Sequence, residues 1–192
     1  MGKLGIILLK TMKFLTGLVC RGGRNVNYHL IKKDDMNNGE GIRVTLFVSS
    51  CSHHCKNCHN PETWDSKSGK LFDKLAEENL FNELQKDYIE GITFSGGDPL
   101  NINNVKEVYG LCKKIKTTFS QKNIWCYTGF TFEECLQDED KIKILNYIDI
   151  LVDGKFIQDL ADVNYKWAGS TNQRVIDVQK SLQQNKVVLY QI

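Results

Sequence analysis

The chain has 192 residues, of which 41% are hydrophobic and 25% are charged, an ordinary composition for a globular protein with a buried core. Its formal net charge of +2 is too small to indicate a protein that binds nucleic acid or a membrane. The sequence holds two prolines and no low-complexity tract, which argues against a disordered or fibrous chain.

The seven cysteines are an odd number, whereas a secreted disulfide scaffold favours an even number in a shorter chain. Three of them follow one another closely, at Cys51, Cys55 and Cys58. Clustered cysteines in a chain of this size indicate metal or redox chemistry in a reducing compartment. We therefore expect a cytoplasmic protein.

The first 25 residues contain lysines and short apolar runs, and they resemble a weak signal peptide with Cys20 at a place for lipid attachment. Lys10 and Lys13 interrupt the apolar run, and no clean small-residue cleavage site follows it. No segment of the sequence approaches the roughly 20 apolar residues of a membrane helix. We expect residues 1–25 to be an accessory or spurious leader.

Five stretches predict strands, because β-branched and apolar residues follow one another in each. They lie within residues 42–48, 91–99, 123–129, 148–154 and 169–178. The polar or glycine-rich elements SSC, SGGDP, YTG, VDGK and GSTNQ fall after strands. We expect these elements to form the loops at the strand ends.

Four stretches between the strands predict helices from the spacing or type of their residues. They are residues 71–88, 103–119, 131–136 and 140–147. We expect Asn103 or Asn104 to cap the second of these helices. The alternation of strands and helices implies βαβ units and an α/β fold with a mainly parallel sheet.

The carboxyl ends of parallel strands lie at one rim of a sheet, where ligands bind. The polar elements that follow the predicted strands are far apart in the chain. In a parallel sheet they nevertheless converge in space. We therefore expect them to form one site together with the cysteines.

Three interpretations of the Cys-x3-Cys-x2-Cys spacing compete. Structural zinc needs four ligands, and His54 or His59 is available as the fourth, but no second Cys-x-x-Cys pair exists. An iron–sulfur electron carrier usually has four clustered cysteines, whereas the others here are scattered and Cys112 and Cys126 are expected in the core. The third interpretation is a four-iron cluster on three thiolates, which leaves one iron with an open position, as in catalytic metal sites.

The cysteine spacing and the glycine turn together resemble the motifs of a known superfamily. Cys-x3-Cys-x2-Cys directly after a strand is similar to the signature of the radical S-adenosylmethionine (SAM) enzymes, and SGGDP resembles their GGEP motif, with Asp98 in place of glutamate. Glycines in such a turn let backbone groups approach a ligand closely. The resemblance implies an α/β fold of the radical SAM type, a partial (βα) barrel with mainly parallel strands.

The resemblance narrows to the activating enzymes of anaerobic (class III) ribonucleoside-triphosphate reductases. The similar stretches are NYH (27–29), TLFVSSCSHHCKNCHNPETW (45–64), SGGDPL (95–100), IWCYTGFTFEE (124–134), ILVDGKFIQDL (150–160) and WAGSTNQRVIDV (167–178). The last two are the most specific, because most radical SAM enzymes lack them. We expect a leader at residues 1–25 outside the resemblance, a radical SAM domain at 26–180 and a C-terminal tail at 181–192.

The resemblance implies a radical reaction. A reduced [4Fe–4S] cluster on Cys51, Cys55 and Cys58 gives one electron to SAM, which splits into methionine and a 5′-deoxyadenosyl radical. That radical removes a hydrogen atom from a glycine Cα of the reductase large subunit and leaves a stored glycyl radical there. A flavodoxin-like protein is the implied electron donor, and neither nucleic acid nor a membrane is expected as a partner.

The resemblance also implies which residues contact SAM. By position they are Asn57, Cys58, His59, Gly96, Gly97, Asp98, Thr128 and Gly129. Five residues of later loops either orient SAM, face the partner or belong to a surface turn: Asp153, Lys155, Asn172, Gln173 and Arg174. His53 and His54 are expected to be exposed loop residues rather than ligands.

The sequence leaves three other functions possible. An activase of another glycyl-radical enzyme, of the formate-lyase type, would keep the cysteines and GGDP but lose GSTNQR. A non-enzymatic iron–sulfur electron carrier would not explain the glycine turns after several strands. A zinc-binding interaction module would contain zinc without iron and sulfide.

Overall fold

The described residues form one seven-stranded sheet, whose central strands are short apolar runs. The computed structural model describes residues 26–191. The strands are β1 (Asn27–Asp35), β2 (Arg43–Val48), β3 (Lys70–Leu71), β4 (Gly91–Gly96), β5 (Asn123–Tyr127), β6 (Ile150–Asp153) and β7 (Arg174–Asp177). Their order across the sheet is β3-β1-β2-β4-β5-β6-β7.

The centre of the sheet is parallel and its two sides are antiparallel. β2 pairs parallel with β4, β4 with β5 and β5 with β6. β1 pairs antiparallel with both β2 and β3, and β7 pairs antiparallel with β6. The α/β prediction is confirmed, but the sheet is mixed: parallel pairing is restricted to its central strands. The sheet formed by the described residues is open rather than a closed barrel.

The described residues form five α-helices: α1 (Lys74–Leu84), α2 (Val105–Thr118), α3 (Phe132–Leu136), α4 (Glu139–Leu145) and α5 (Val178–Gln184). Asp73, Asp138 and Asp177 cap α1, α4 and α5, because each side chain accepts a backbone N–H of the first turn. Thr131 and Glu134 form a capping box at the start of α3. These caps satisfy backbone donors that a helix start leaves without partners.

The predicted elements correspond to β2, β4, β5, β6, β7 and to α1 to α4, with ends that differ by a few residues. The sequence patterns did not predict β1, β3 or α5. β1 lies near one side of the sheet and most of its side chains are half-buried or exposed, so it lacks a continuous apolar run. β3 has only two residues, and α5 is short and rich in polar side chains.

The main core contains apolar side chains from the central strands and from α1, α2, α3 and α4. A smaller cluster, made by Trp125, Ile150, Val152 and Val175, is packed separately from it. Cys112 and Cys126 are fully buried in the main core. Their prediction as core residues is therefore confirmed.

One buried cation holds the amino ends of three parallel strands. Arg43, at the start of β2, is fully buried and donates to Thr93 Oγ1 at 2.9 Å and to Asn123 Oδ1 at 2.6 Å. It also donates to the Ile92 carbonyl at 2.7 Å, and its guanidinium lies 5.3 Å from the centre of the Trp125 ring. Burial lowers the pKa of Arg43 to about 10, so the side chain stays charged at neutral pH. These bonds join β2, β4 and β5 at the edge opposite to the cysteines.

The leader predicted at residues 1–25 lies outside the described residues. Among residues 26–191, no helix has the length and apolar character needed to cross a membrane. The described part of the predicted tail begins within α5 and then returns along β7. There Leu189 bridges Ile176, and the Tyr190 N–H donates to the Val175 carbonyl at 2.8 Å.

Two leucines distinguish the buried face of α1 from its exposed face. Leu80 is fully buried, whereas Leu75 is 64% exposed. We expect Leu80→Ala to lower the free energy of unfolding by about 2–5 kcal/mol, because it removes apolar contacts and leaves a cavity. The matched control, Leu75→Ala, should change it by less than about 0.5 kcal/mol. Anaerobic denaturant unfolding followed by circular dichroism measures both values, and equal losses would contradict the assignment of the two faces.

Candidate functional site

The carboxyl ends of the parallel strands surround one cleft, which we call the site cleft. Cys51, Cys55 and Cys58 line it on one side. Residues from the ends of β4, β5 and β6 and from the loop before β7 complete its wall: Gly96, Gly97, Thr128, Gly129, Gly154 and Gln173. The prediction that the polar and glycine-rich loops converge on the cysteines is confirmed.

The cysteine loop, residues 49–60, contains an unusual backbone. Ser50, His54 and Asn57 have φ angles of +77°, +47° and +55°. Residues with a side chain adopt such angles rarely, and backbone strain of this kind collects at functional sites. The Cys58 N–H donates to the Cys55 carbonyl at 3.1 Å, which closes a tight turn between the last two cysteines.

The thiols of the cysteine loop are free and partly buried, and backbone donors lie beside them. The Asn60 N–H donates to Cys58 Sγ at 3.4 Å. Burial raises the pKa of the Cys55 thiol, and the backbone N–H of Phe156 opposes this effect because it stabilises the thiolate. The Phe156 amide belongs to the loop after β6, so a second segment contributes to the environment of this sulfur.

Cys51 has a similar environment on the other side of the loop. Burial raises the pKa of its thiol, and the negative charge of Asp98 adds to the increase. The backbone N–H groups of His53 and His54 act in the opposite direction, because they hydrogen-bond to the sulfur. Hydrogen bonds to cysteine sulfurs are one of the means by which proteins tune iron–sulfur clusters.

This donor set fits an iron–sulfur cluster better than a zinc ion. Among residues 26–191, no three His, Cys, Asp or Glu side chains are grouped closely enough to hold one metal ion. The histidines considered as a fourth zinc ligand have other neighbours: His54 stacks on Trp64 at 4.7 Å, and His59 lies 5.4 Å from Phe156, both measured between ring centres. A cluster is larger than a single ion and is held by thiolates.

The glycine turn, residues 95–99, lies directly against the cysteine loop. Gly96 has a φ of +97°, which favours glycine. A Cβ atom on Gly97 would lie 2.6 Å from the Ser50 carbonyl oxygen, so a larger residue requires the backbone to move. The Gly97 N–H donates to the Val48 carbonyl at 2.7 Å, and the Asp98 N–H donates to the Ser50 carbonyl at 2.8 Å. Two backbone segments therefore pack together without side chains between them.

The carboxylate of Asp98 joins the glycine turn to two other loops. It is 1% exposed and accepts bonds from the Leu100 N–H at 2.8 Å and the Thr128 hydroxyl at 2.9 Å. It also accepts the Gly129 N–H at 3.1 Å and lies 2.7 Å from His53 Nε2. Since an ionised carboxylate only accepts, Nε2 carries the hydrogen of this last bond. The sequence predicted Asp98 as a SAM contact, but its carboxylate is occupied by these protein groups.

The prediction that His53 is an exposed loop residue is wrong. Its side chain is 8% exposed and packs edge-to-face on Phe130, with ring centres 4.6 Å apart. A Cβ atom on Gly129 would lie 2.3 Å from His53 Cδ2, so the imidazole fills the space that this glycine leaves. The partner that buries it, Asp98, is 45 positions away, and no local pattern marks the pair. His54 is exposed, as predicted.

The prediction that Asn103 or Asn104 caps α2 is confirmed for the position but not for a side-chain capping bond. Asn104 occupies the N-cap position, but its side chain makes no capping bond. It donates instead to the Ser49 carbonyl and the Asp98 carbonyl, both at 2.7 Å. Asn103 donates to Ser50 Oγ at 3.0 Å. Both asparagines therefore attach the start of α2 to the cysteine loop.

Asp153 and Arg174 bind each other at the ends of β6 and β7. Arg174 Nε donates to Asp153 Oδ1 at 3.0 Å, and the Phe132 N–H donates to the second oxygen at 2.7 Å. Arg174 also pairs with Glu133, at 3.1 Å from Nη1 to Oε1. Asp153 is buried, so both residues connect the last strands to the start of α3.

The loops before β7 and after β6 are joined by two side-chain amides. Gln173 Nε2 donates to the Gly154 carbonyl, and Asn172 Nδ2 donates to the Lys155 carbonyl, both at 2.9 Å. Gln173 and Gly154 line the site cleft, whereas Asn172 and Lys155 do not. Of the five later-loop residues considered from the sequence, Gln173 is the one placed at the cleft.

Most of the residues predicted to contact a cofactor line the site cleft: Cys58, His59, Gly96, Gly97, Thr128 and Gly129. Asn57 is exposed and, like Asp98, is not among the lining residues. Asn38 and Phe156 also line the cleft and were not predicted. Asn38 belongs to the loop between β1 and β2, and no motif in the sequence marks that loop.

A family model described as a 4Fe-4S single cluster domain matches residues 37–176. The match begins in the loop after β1 and ends within β7. It therefore includes every residue that lines the site cleft. The matched description agrees with an iron–sulfur cluster in this part of the chain.

Curated proteins named anaerobic ribonucleoside-triphosphate reductase-activating protein are similar to this chain over most of its length. The Haemophilus influenzae protein is 43% identical over 150 residues, which are 77% of this chain and 96% of the relative. The Escherichia coli K12 protein is 41% identical over 152 residues, 78% of this chain and 97% of the relative. The enterobacteria phage T4 protein is 40% identical over 150 residues, 78% of this chain and 93% of the relative. The chain belongs to the family of anaerobic ribonucleoside-triphosphate reductase-activating proteins.

Proposed function

We propose that this chain is a radical SAM activase that generates a glycyl radical on an anaerobic ribonucleoside-triphosphate reductase. The observation that carries the proposal is the site cleft, where three free thiols face glycine-rich strand ends. The names of the relatives, which the chain matches over more than nine-tenths of their length, point to the same reaction. These relatives favour the reductase over a formate-lyase type of partner.

The proposed cluster ligands are Cys51, Cys55 and Cys58. When bound, a [4Fe–4S] cluster with three cysteine ligands supplies one electron to SAM at the iron that has no protein ligand. The chain's own part is to hold the three thiolates, to place backbone N–H groups beside them and to limit access of water. The buried contacts of the cysteine loop serve that purpose.

The proposed SAM site is the part of the cleft between the cysteine loop and the ends of β4 and β5. Gly96 and Gly97 present backbone there, because neither has a side chain that would separate it from a ligand. Thr128 and Gly129 line the next strand end. His59 lies near the Phe156 ring at the cleft, and two such flat surfaces suit the adenine of SAM.

The proposal also concerns the fold, the electron donor and the cellular compartment. We take the open sheet to be the partial (βα) barrel of the radical SAM type, within a domain of residues 26–180. Three successive parallel pairings that end at one cleft support this assignment. A flavodoxin-like protein is the proposed electron donor, and the cytoplasm is the proposed compartment, because it keeps thiols reduced.

The reductase would reach the site along an exposed apolar surface. A hollow adjoins the site cleft and shares four lining residues with it: Asn38, His59, Tyr127 and Gly169. Met36 and Val163 line this hollow, and both are exposed. Exposed apolar side chains beside a reaction site are typical of a surface that a protein partner covers.

Alanine in place of Cys51, Cys55 or Cys58 is expected to abolish cluster binding and SAM cleavage, because each removes one of three ligands. Cys112→Ala is the matched control: its thiol is buried in the core, so iron content and SAM cleavage should remain. Iron and sulfide analysis and chromatography of 5′-deoxyadenosine after anaerobic reduction measure both. A Cys55→Ala protein that still forms 5′-deoxyadenosine would refute the ligand assignment.

Gly97→Ala is expected to slow SAM cleavage by about 10²-fold, because the added Cβ displaces the glycine turn from the cysteine loop. Gly110→Ala is the matched control in α2, where an added Cβ meets no atom within 4 Å. It should leave cleavage unchanged and stabilise the fold by about 0.5–1 kcal/mol. The measurement is the initial rate of 5′-deoxyadenosine formation by each variant at equal iron content. Equal rates for the two variants would contradict the close packing of the glycine turn on the cysteine loop.

The decisive experiment is anaerobic reconstitution with iron and sulfide, followed by SAM, a reductant and the candidate reductase. We expect a glycyl-radical EPR signal on the reductase and one methionine released for each SAM cleaved. 5′-Deoxyadenosine without that EPR signal would keep the enzyme class and remove this reductase as the partner. A fully loaded cluster with no SAM cleavage would overturn the proposal.

A further inference from the structure

We infer that Asp98 and His53 form a clamp that holds the cysteine loop against the glycine turn and thereby sets the affinity for SAM. The two are positioning residues, since neither is offered as a ligand or a reacting group. The inference rests on the proposed function, because it concerns the same site. Its physical basis is one hydrogen bond between two nearly buried side chains, 2.7 Å long.

The position of His53 in the chain explains why this bond matters. It lies between Cys51 and Cys55, so any movement of its backbone moves two sulfurs. Its own N–H also acts on the Cys51 sulfur. The bond from its ring to Asp98 therefore fixes the part of the loop between these two cysteines, in addition to the bonds that hold Ser49 and Ser50 at its start.

Asp98 connects His53, and with it the cysteine loop, to the other wall of the cleft. Its backbone follows Gly97 in the glycine turn, and its carboxylate binds Thr128 and Gly129 at the end of β5. The cysteine loop and the two strand ends proposed to hold SAM thus meet at one carboxylate. A cluster and a SAM molecule placed on these separate segments would keep a fixed distance only while the carboxylate keeps its partners.

The surroundings of the pair make the bond effective. The His53 ring is packed against Phe130 and fills the space beside Gly129. Water is therefore excluded from most of the imidazole, and a hydrogen bond to an ionised group is stronger in such a place than at the surface. The carboxylate in turn has donors around it that prevent it from rotating away.

His53→Ala is expected to raise the dissociation constant of SAM by about 10- to 100-fold, the usual effect of removing a partner behind a metal ligand. The measurement is an EPR titration of the reduced cluster with SAM, on reconstituted protein of known iron content. Asp98→Asn should act in the same direction. Because the two residues share one bond, the double variant should be no weaker than the worse single variant.

Two further variants separate positioning from a general loss of stability. His53→Gln keeps an N–H donor that reaches the Asp98 carboxylate, so it should restore most of the SAM affinity. His29→Ala is the matched control: it removes a half-buried histidine that bonds Ser68 at 2.9 Å and lies outside the site cleft. It should leave the SAM dissociation constant unchanged.

Hydrogen exchange tests the clamp without SAM. In reconstituted protein, His53→Ala should speed amide exchange in both residues 49–60 and residues 95–100, while His29→Ala should not. Wild-type protein that carries a cluster but binds no SAM would refute the proposed function. In that case the hydrogen-exchange result alone would show whether His53 and Asp98 hold the two loops together. A SAM dissociation constant within twofold of wild type for His53→Ala overturns the inference, as does a His53→Gln protein no better than His53→Ala.

Discussion

The buried carboxylate of Asp98 is the constraint on which the site depends. A buried charge is tolerated only when hydrogen-bond donors surround it. Here the donors come from Leu100 directly after the glycine turn, from the end of β5 and from the cysteine loop. Thr128 and Gly129 share one of these segments and the other two donors lie on one segment each, so satisfying one charge fixes three segments relative to one another. The need to pair this carboxylate thereby helps to place the cysteines that we propose as cluster ligands.

Arg43 holds neighbouring strands together at the other edge of the sheet. It is a buried cation whose partners lie on β4 and at the start of β5. Between these two charges the parallel strands are apolar and buried, which is typical of parallel sheets. Polar bonds thus specify the two edges, while apolar packing supplies the bulk of the stability between them.

Local patterns in the sequence were sufficient for the central strands, for four helices and for the three clustered cysteines. They were insufficient where a residue's environment depends on a distant partner. The burial of His53 requires Asp98, and the side chain of Asn104 binds the cysteine loop rather than its own helix. β1 was missed for a related reason, since its pairing with β2 holds it in the sheet although its own residues lack an apolar run.

The three cysteines buried in the core differ from the clustered cysteines in how oxygen damages them. Burial raises the pKa of Cys112, Cys126 and Cys135, which keeps them as thiols. Oxidants attack thiolates far faster than thiols. Under the proposed function, air acts first on the cluster and its partly exposed cysteines, while the thiols inside the fold stay intact. A chain that loses the proposed cluster in air is therefore expected to keep an intact core, so that the same folded chain can be supplied with iron and sulfide again.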